Sequence, residues 1–224
     1  MRPLLLGHRG ARRSSPENTL AAFQRALDHG CDGFEFDLRQ SSDAHCVVCH
    51  DPKLAGRVVE RSTYDSLLAA HRRRNPGCRE DECPTLLDVV LQKFSAAFLD
   101  VELKVGGIEE AVLRLLRAHP PRRFLVSSFL PEVIARCREL DPSLPLGLIC
   151  EDRKQLARWE KLPIQAVFAH RKLVTRELVS ELHAAGQQVF VWTVNDEREM
   201  RRLAELGVAG IISDDSELLG KVFT

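Results

Sequence analysis

From residue 85 to its end the chain repeats one unit: a short apolar run, then a stretch whose apolar residues recur at helical spacing. The runs 97–104, 124–129, 144–149, 164–169, 188–194 and 210–213 predict strands. Between them, Leu86, Val89 and Val90 mark one helix, Ile108, Val112 and Leu115 share the face of a second, and Val133, Ile134 and Cys137 that of a third. Further helices are predicted over 152–159, 175–185 and 195–206, and Gly186 and Gly207 stand where the last two should stop. Strand and helix in alternation imply a parallel sheet with helices outside it.

Upstream, strands are predicted over 4–7, 31–39 and 45–50. A parallel crossover needs roughly a dozen residues, and only five separate the last two runs, so they must form an antiparallel hairpin. Setting that arm aside leaves eight strands, the number a closed (β/α)8, or TIM, barrel requires. The expected fold is therefore α/β: a TIM barrel with a small β-hairpin extension after strand 2. The 224 residues lie near the low end of the roughly 200 to over 400 seen for that fold. An open doubly wound sheet is the alternative, but no Gly-x-Gly-x-x-Gly follows the first strand.

No Gly/Ser/Pro-rich linker divides the sequence, so one domain over 1–224 is expected, with 51–84 as its least regular, variable segment. That segment holds a short helix near 63–70. Ser15 can cap the first helix with Pro16 at its first position, Leu20, Phe23 and Leu27 forming its face and Gly30 its end. Lys+Arg and Asp+Glu both number 32, so no global charge advertises nucleic acid or an anionic membrane. Leu4-Leu5-Leu6 is too short for a signal peptide, and no apolar run approaches the ~18–20 residues of a membrane span. A cytoplasmic protein without stable membrane insertion is expected, its seven scattered cysteines reduced.

Side chains alternate along a strand, so Glu35 and Asp37 share a face about 6.6–7 Å apart, and Asp100, Glu102 and Lys104 share another. In a barrel of this kind functional groups sit at the C-terminal strand ends, which here carry His8-Arg9, Glu35/Asp37, Glu102/Lys104, Ser127/Ser128, His170-Arg171, Trp192/Asn195 and Ser213/Asp214. Glu35, Asp37 and Glu102 make an oxygen-rich site for one hard divalent cation, Mg²⁺ or Ca²⁺. The competing reading is a salt-bridge cluster with Arg9, Arg39 and Lys104. Folding the hairpin about Asp43/Ala44 brings His50 level with Asp37, and so beside the acids. A lone strand-end histidine is more often structural, whereas His8 and His50 converging on one carboxylate cluster suit an acid/base pair.

Arg9 faces away from the site unless the backbone turns, which Gly10 permits. A metal with Arg9 and Lys104 describes a pocket for a phosphoryl group. Phe190 and Trp192 share a strand face and are simplest as barrel core, although Trp192, nearer the strand end, can floor a pocket. Cys46 and Cys49, three apart on a strand, face opposite ways and cannot chelate one ion. Cys78 and Cys83 flank a loop in which a zinc site would need two more ligands, so none is expected. His71 to Arg74 read as a solvated helix end, with contact to an anionic headgroup as the lesser reading.

Seven fragments in order resemble the glycerophosphodiester phosphodiesterase family: His8-Arg9-Gly10, Pro16-Glu17-Asn18-Thr19, Glu35-x-Asp37, Val47-Val48-x-His50-Asp51, Glu102-Leu103-Lys104, Val191-Trp192-Thr193-Val194-Asn195 and Gly210-Ile211-Ile212-Ser213-Asp214. The resemblance runs from residue 4 to about 215. It implies a TIM barrel and metal-dependent hydrolysis of glycerophosphodiesters to sn-glycerol 3-phosphate and an alcohol. By position it makes His8 and His50 the acid/base pair, and Glu35, Asp37 and Glu102 the metal ligands. Arg9 and Lys104 become the phosphate contacts and Trp192 a wall of the glycerol pocket.

The implied route has the metal polarise the glycerol 2-hydroxyl while one histidine takes its proton. The other protonates the departing alcohol, and water then opens a cyclic phosphate. Two departures stand in the hairpin turn, where the family usually has glycine at Ala44 and threonine at Ser42. Ala44 puts the turn type in question, because alanine tolerates positive φ poorly. A lysophospholipase D-type or cyclising lipid phosphodiesterase, and a non-catalytic glycerophosphodiester-binding protein, are the alternatives.

Overall fold

The structure, a computed structural model, describes residues 2–223; the two ends of the predicted domain, 1 and 224, lie outside it. The chain begins β1 (Leu4–His8), α1 (Leu20–Asp28), β2 (Gly33–Gln40) and β3 (Cys46–Val48). The next segment carries a two-stranded ribbon of β4 (Lys53–Leu54) and β5 (Arg57–Val58), then α2 (Tyr64–Arg74). Regular alternation follows with α3 (Leu87–Lys93), β6 (Phe98–Leu103), α4 (Glu109–Ala118), β7 (Arg123–Ser128), α5 (Pro131–Leu140) and β8 (Leu146–Cys150). It continues with α6 (Arg153–Leu156), β9 (Ala166–His170), α7 (Arg176–Ala184), β10 (Gln188–Trp192), α8 (Glu197–Glu205), β11 (Gly210–Ser213) and α9 (Ser216–Phe223).

Eight parallel strands close in the order β1-β2-β6-β7-β8-β9-β10-β11, with β11 returning to β1. This is the expected TIM barrel. β1 is short and pairs with β2 only as far as His8↔Glu35. The same edge of β2 runs on unpaired beyond that point, and antiparallel β3 takes it over from Leu38↔Val48 to Gln40↔Cys46.

The hairpin departs from expectation by one residue. Leu38 faces Val48, and the Cys49 N–H donates to the Asp37 carbonyl at 2.9 Å, so Cys49 rather than His50 is level with Asp37. Ala44 does adopt φ +64. Its turn is held by Ala44 N–H to the Ser41 carbonyl at 3.0 Å and by Asp43, whose carboxylate accepts from the Ser41 hydroxyl at 2.6 Å and the Tyr64 N–H at 3.1 Å. Cys46 and Cys49 pack in separate apolar clusters, as their spacing requires.

The first helix also starts later than Ser15 suggests. Ser14 and Ser15 both turn back onto the Ala11 carbonyl, Asn18 takes φ +58, and Thr19 is the cap that accepts from Ala22 N–H. Residues 16–18 are thereby free to face the site. α2 runs four residues past its predicted end, to Arg74, and the helix predicted over 152–159 shortens to Arg153–Leu156.

Two apolar layers hold the barrel. The outer one lies between sheet and helices; the inner one fills the barrel with Leu6, Phe98, Leu125, Ile149, Phe168, Phe190 and Ile212. Phe168 and Phe190 stack at 4.7 Å between ring centres. Two strand glycines make room for them: a Cβ on Gly147 would overlap the Phe168 ring, and one on Gly210 the Phe190 ring. Gly147→Val should therefore overpack the interior and lower unfolding free energy by about 1–3 kcal/mol. A denaturant titration checks this; an unchanged midpoint would show that the ring can move aside.

Candidate active site

β2 and β6 are neighbours in register, Glu35 beside Asp100 and Asp37 beside Glu102. Alternation turns all four carboxyls inward on adjoining strands. Asp100 lies deepest, accepting from the Ser127 hydroxyl at 2.6 Å. Glu35, Asp37 and Glu102 form the upper layer, with oxygens within 4.8 Å of one another and exposures of only 4%, 1% and 7%.

Around this cluster the chain places two fixed cations. β1 ends at His8 and the backbone then turns, Arg9 at φ +55 and Gly10 at φ +78. A left-handed non-glycine residue costs about 1–3 kcal/mol, which the surrounding bonds offset. Arg9 N–H donates to Glu35 Oε2 at 3.0 Å, and Asn18 N–H to the Arg9 carbonyl at 3.0 Å. The turn swings the Arg9 side chain back over the acids, its Nε 3.2 Å from Asp37 Oδ2 and its Nη1 donating to Glu17 at 2.9 Å. Lys104, just past β6, sits 2.6 Å from Glu102 Oε1 and 3.4 Å from Asp37 Oδ1, ion pairs by distance. Asn18 Nδ2 donates to Asp37 Oδ2 at 2.9 Å. Arg39 turns away instead, to the His50 carbonyl and Glu60.

The salt-bridge reading thus accounts for Asp37 and Glu102 but leaves Glu35 without a cation of its own, and its buried Oε1 has no hydrogen-bond partner. Burial, then the neighbouring Asp37 and Glu102, push the Glu35 carboxyl well above its ordinary value. Burial and Asp37 push Glu102 up to about 7, against the pull of Lys104. Three buried carboxylates with an orphaned oxygen are a set that a divalent cation would complete, so these residues fit one.

The two histidines are mounted alike. His8 Nδ1 lies 2.6 Å from Asp214 Oδ1, and His50 Nδ1 2.8 Å from Asp51 Oδ1. A carboxylate at Nδ1 keeps the proton there and leaves Nε2 as the atom that exchanges one; His8 Nε2 is 3.8 Å from Glu35 Oε2. Asp214 is itself held by Asn195 Nδ2 at 2.8 Å. Burial works against its ionisation, but the His8 and Asn195 hydrogen bonds outweigh that and hold the carboxyl well below the usual range. His50 is lowered by burial first and by the Arg9 and Lys104 charges, against the opposing pull of Asp37 and Asp51.

His8, Arg9, Glu35, His50, Asp100, Glu102 and Lys104 line one side of a cavity of about 320 Å³ at the C-terminal ends of the strands. Phe129, Ile149, Phe168, Trp192 and Ile212 line the rest, together with Glu151. Trp192 is fixed by its indole N–H to the Phe168 carbonyl at 3.0 Å and meets Phe129 edge-on at 5.5 Å. Asp37 is reached only through Arg9 and Lys104, which cover it. Seven of the eight residues singled out from sequence therefore line one cavity and the eighth lies beneath it.

Sequence reasoning placed Asn195 and Asp214 at strand ends without giving either a partner, and it gave no role to Asn18, Asp51 or Glu17. Barrel closure is the signal that finds Asp214: the last strand must neighbour the first, and Gly7↔Ser213 puts Asp214 level with His8.

In the ion-free protein the raised Glu102 makes a signed prediction. A carboxyl that titrates near 7 when folded and near 4.5 when unfolded binds more protons in the native state over that interval, so stability falls as pH rises through it. Mg²⁺ or Ca²⁺ should reverse the fall, adding about 2.7 kcal/mol at a hundredfold excess over Kd. Urea midpoints measured across this range with and without the ion check both statements; indifference to the ion would reject the site.

A family model described as the glycerophosphoryl diester phosphodiesterase family matches residues 8–218. A glycerophosphodiester phosphodiesterase of Caldanaerobacter subterraneus subsp. tengcongensis is 31% identical, over 98% of this chain and 97% of its own. A crystal structure of the Thermotoga maritima glycerophosphodiester phosphodiesterase is similar with a TM-score of 0.83 and 25% identity, covering 99% of both chains. An Oleispira antarctica phosphodiesterase, solved in complex with the product sn-glycerol-3-phosphate, shares the fold with a TM-score of 0.84 at 24% identity, covering 99% of this chain and 96% of its own.

Proposed function

This chain belongs to the glycerophosphoryl diester phosphodiesterase family, and we propose that it hydrolyses glycerophosphodiesters to sn-glycerol 3-phosphate and an alcohol, through a cyclic phosphate and with one divalent cation. The observation that carries this reading is the single cavity in which two carboxylate-backed imidazoles flank a buried three-carboxylate cluster and two cations.

Glu35, Asp37 and Glu102 would hold the ion, and their all-oxygen donor set favours Mg²⁺ or Ca²⁺. When bound, the ion supplies Lewis-acid charge to the phosphoryl group and the glycerol 2-hydroxyl. Arg9 and Lys104 bring the remaining positive charge to the phosphate oxygens. One imidazole, through Nε2, takes the 2-hydroxyl proton as that oxygen attacks phosphorus, and the other gives a proton to the departing alcohol. Water then opens the cyclic phosphate with the proton traffic reversed. Asp214 and Asp51 orient the two rings and stabilise each imidazolium as it forms. Trp192 and Phe129 offer an apolar wall to the glycerol carbons.

No helix among the described residues is long and apolar enough to cross a membrane. All seven cysteines are free, which fits a reducing, cytoplasmic setting. We take residues 1–224 as one catalytic domain in which 51–84 borders the site, supplying His71 and Glu82 beside His50 in an adjoining recess.

With glycerophosphocholine and Mg²⁺ or Ca²⁺ the protein should release glycerol 3-phosphate, and chelation should stop it. No release across a panel of headgroups would reject the reading. His8→Ala and His50→Ala should each lower kcat about 10²- to 10⁴-fold while substrate still binds. With a leaving group of low pKa, activity should recover only in the variant that lacks the acid, which assigns the two roles. Equal ligand binding with no turnover in the wild type or either variant would instead describe a binding protein.

A further inference from the structure

We propose that His71, Cys78 and Cys83 form a second metal site, separate from the carboxylate cluster, that takes a thiophilic divalent cation such as Zn²⁺. The sequence shows two cysteines and too few partners. Folding supplies the third ligand, because α2 continues past residue 70 and presents His71 from its last turn. The chain then doubles back: Cys78 N–H donates to the Asn75 carbonyl at 3.1 Å, and a single 3-10 turn over Glu80–Glu82 returns Cys83. The imidazole nitrogen and both sulfurs end within 4.8 Å of one another.

The sulfur separation discriminates between uses of such a pair. Cys78 Sγ and Cys83 Sγ are 3.4 Å apart. A disulfide needs about 2.05 Å. Two thiolates each about 2.3 Å from one tetrahedral ion stand roughly 3.8 Å apart, a few tenths of an ångström from the spacing present. Among the described residues, Cys31, Cys46, Cys49, Cys137 and Cys150 belong to no such cluster.

Glu82 lines the same groove as His71 and Cys78, but its carboxylate is occupied by the Arg79 N–H at 3.1 Å and the Arg79 guanidinium at 3.2 Å. Three protein ligands then leave the fourth position to water. As the sulfur–metal bonds form, each thiol releases one proton to solvent, and nothing is oxidised.

Donor chemistry separates the two sites. Two sulfurs and an imidazole select Zn²⁺ or Co²⁺, while three carboxylates select Mg²⁺ or Ca²⁺. The place is also one where a clamp has work to do. Apolar support there is the small cluster of Val47, Cys49, Val59 and Leu67. Pro16 shares the groove, and the adjoining recess joins His71 and Glu82 to Glu17, Asn18 and His50. An ion would tie the end of α2 to the 75–83 loop, beside the segments that carry those residues.

The test is anaerobic titration of the reduced full chain with Co²⁺, with Mg²⁺ in excess to occupy the carboxylates. A thiolate-to-cobalt charge-transfer band should grow to one equivalent and be displaced by Zn²⁺. The carboxylate cluster holds no sulfur and cannot produce it. The band should vanish in Cys78→Ser and in Cys83→Ser, and His71→Ala should weaken cobalt binding on the order of tenfold or more. In the unmodified protein, one equivalent of Zn²⁺ should protect Cys78 from alkylation, a measurement that needs no variant to fold. Absence of the band, its survival in both serine variants, or alkylation unchanged by Zn²⁺ would each overturn the proposal.

Discussion

Everything at the mouth of this barrel answers to one electrostatic problem: three carboxylates, almost wholly shielded from water, set side by side on β2 and β6. Unpaired charge at such depth costs several kcal/mol per group, so the surroundings must supply positive charge or protons. Arg9 and Lys104 supply two charges, and both are placed by backbone events. β1 breaks into the left-handed region to swing Arg9 inward, and β6 ends one residue before Lys104. Those cations reach Asp37 and Glu102 while Glu35 keeps a bare oxygen. A site tuned only for stability would have paired or removed that oxygen; this one keeps it available.

Below the acids the barrel is apolar and aromatic, and the transition is abrupt. Phe168 and Phe190 fill the interior only because Gly147 and Gly210 carry no side chain on the neighbouring strands. One residue-pair further along β10, Trp192 stands at the rim. The cavity is therefore charged on one side and hydrocarbon on the other, a polarity suited to a small ligand with an anionic group and an aliphatic backbone.

The barrel was legible because its signals are local and repeated: apolar runs, helical spacing and the glycines at 186 and 207. The gathering of the eight site residues at one barrel mouth was legible because strand alternation and strand ends are one-dimensional facts. What escaped depended on closure or on side-chain competition. Asp214 is two hundred residues from His8 in sequence and meets it only because the last strand returns to the first. Ser15 and Pro16 have the chemistry of a helix start, but Ser15 spends its N–H on the Ala11 carbonyl and Thr19 takes the cap. The hairpin register slipped by one because an alanine accepted positive φ where glycine is usual, with Asp43 bonding across to Tyr64 to hold it. His71 needed a helix four residues longer than its apolar pattern suggested.

The handover along the edge of β2 has a mechanical corollary. β3 is hydrogen-bonded to the same strand that carries Glu35 and Asp37, so the histidine it delivers rides on the frame of the acids rather than on a separate lobe. The Cys49 N–H, bonded to the Asp37 carbonyl at 2.9 Å, ties the residue just before His50 to the strand of the acids. The stretch that follows β3 therefore hangs from an anchored root, and the position of His50 is set by the barrel wall before that stretch begins.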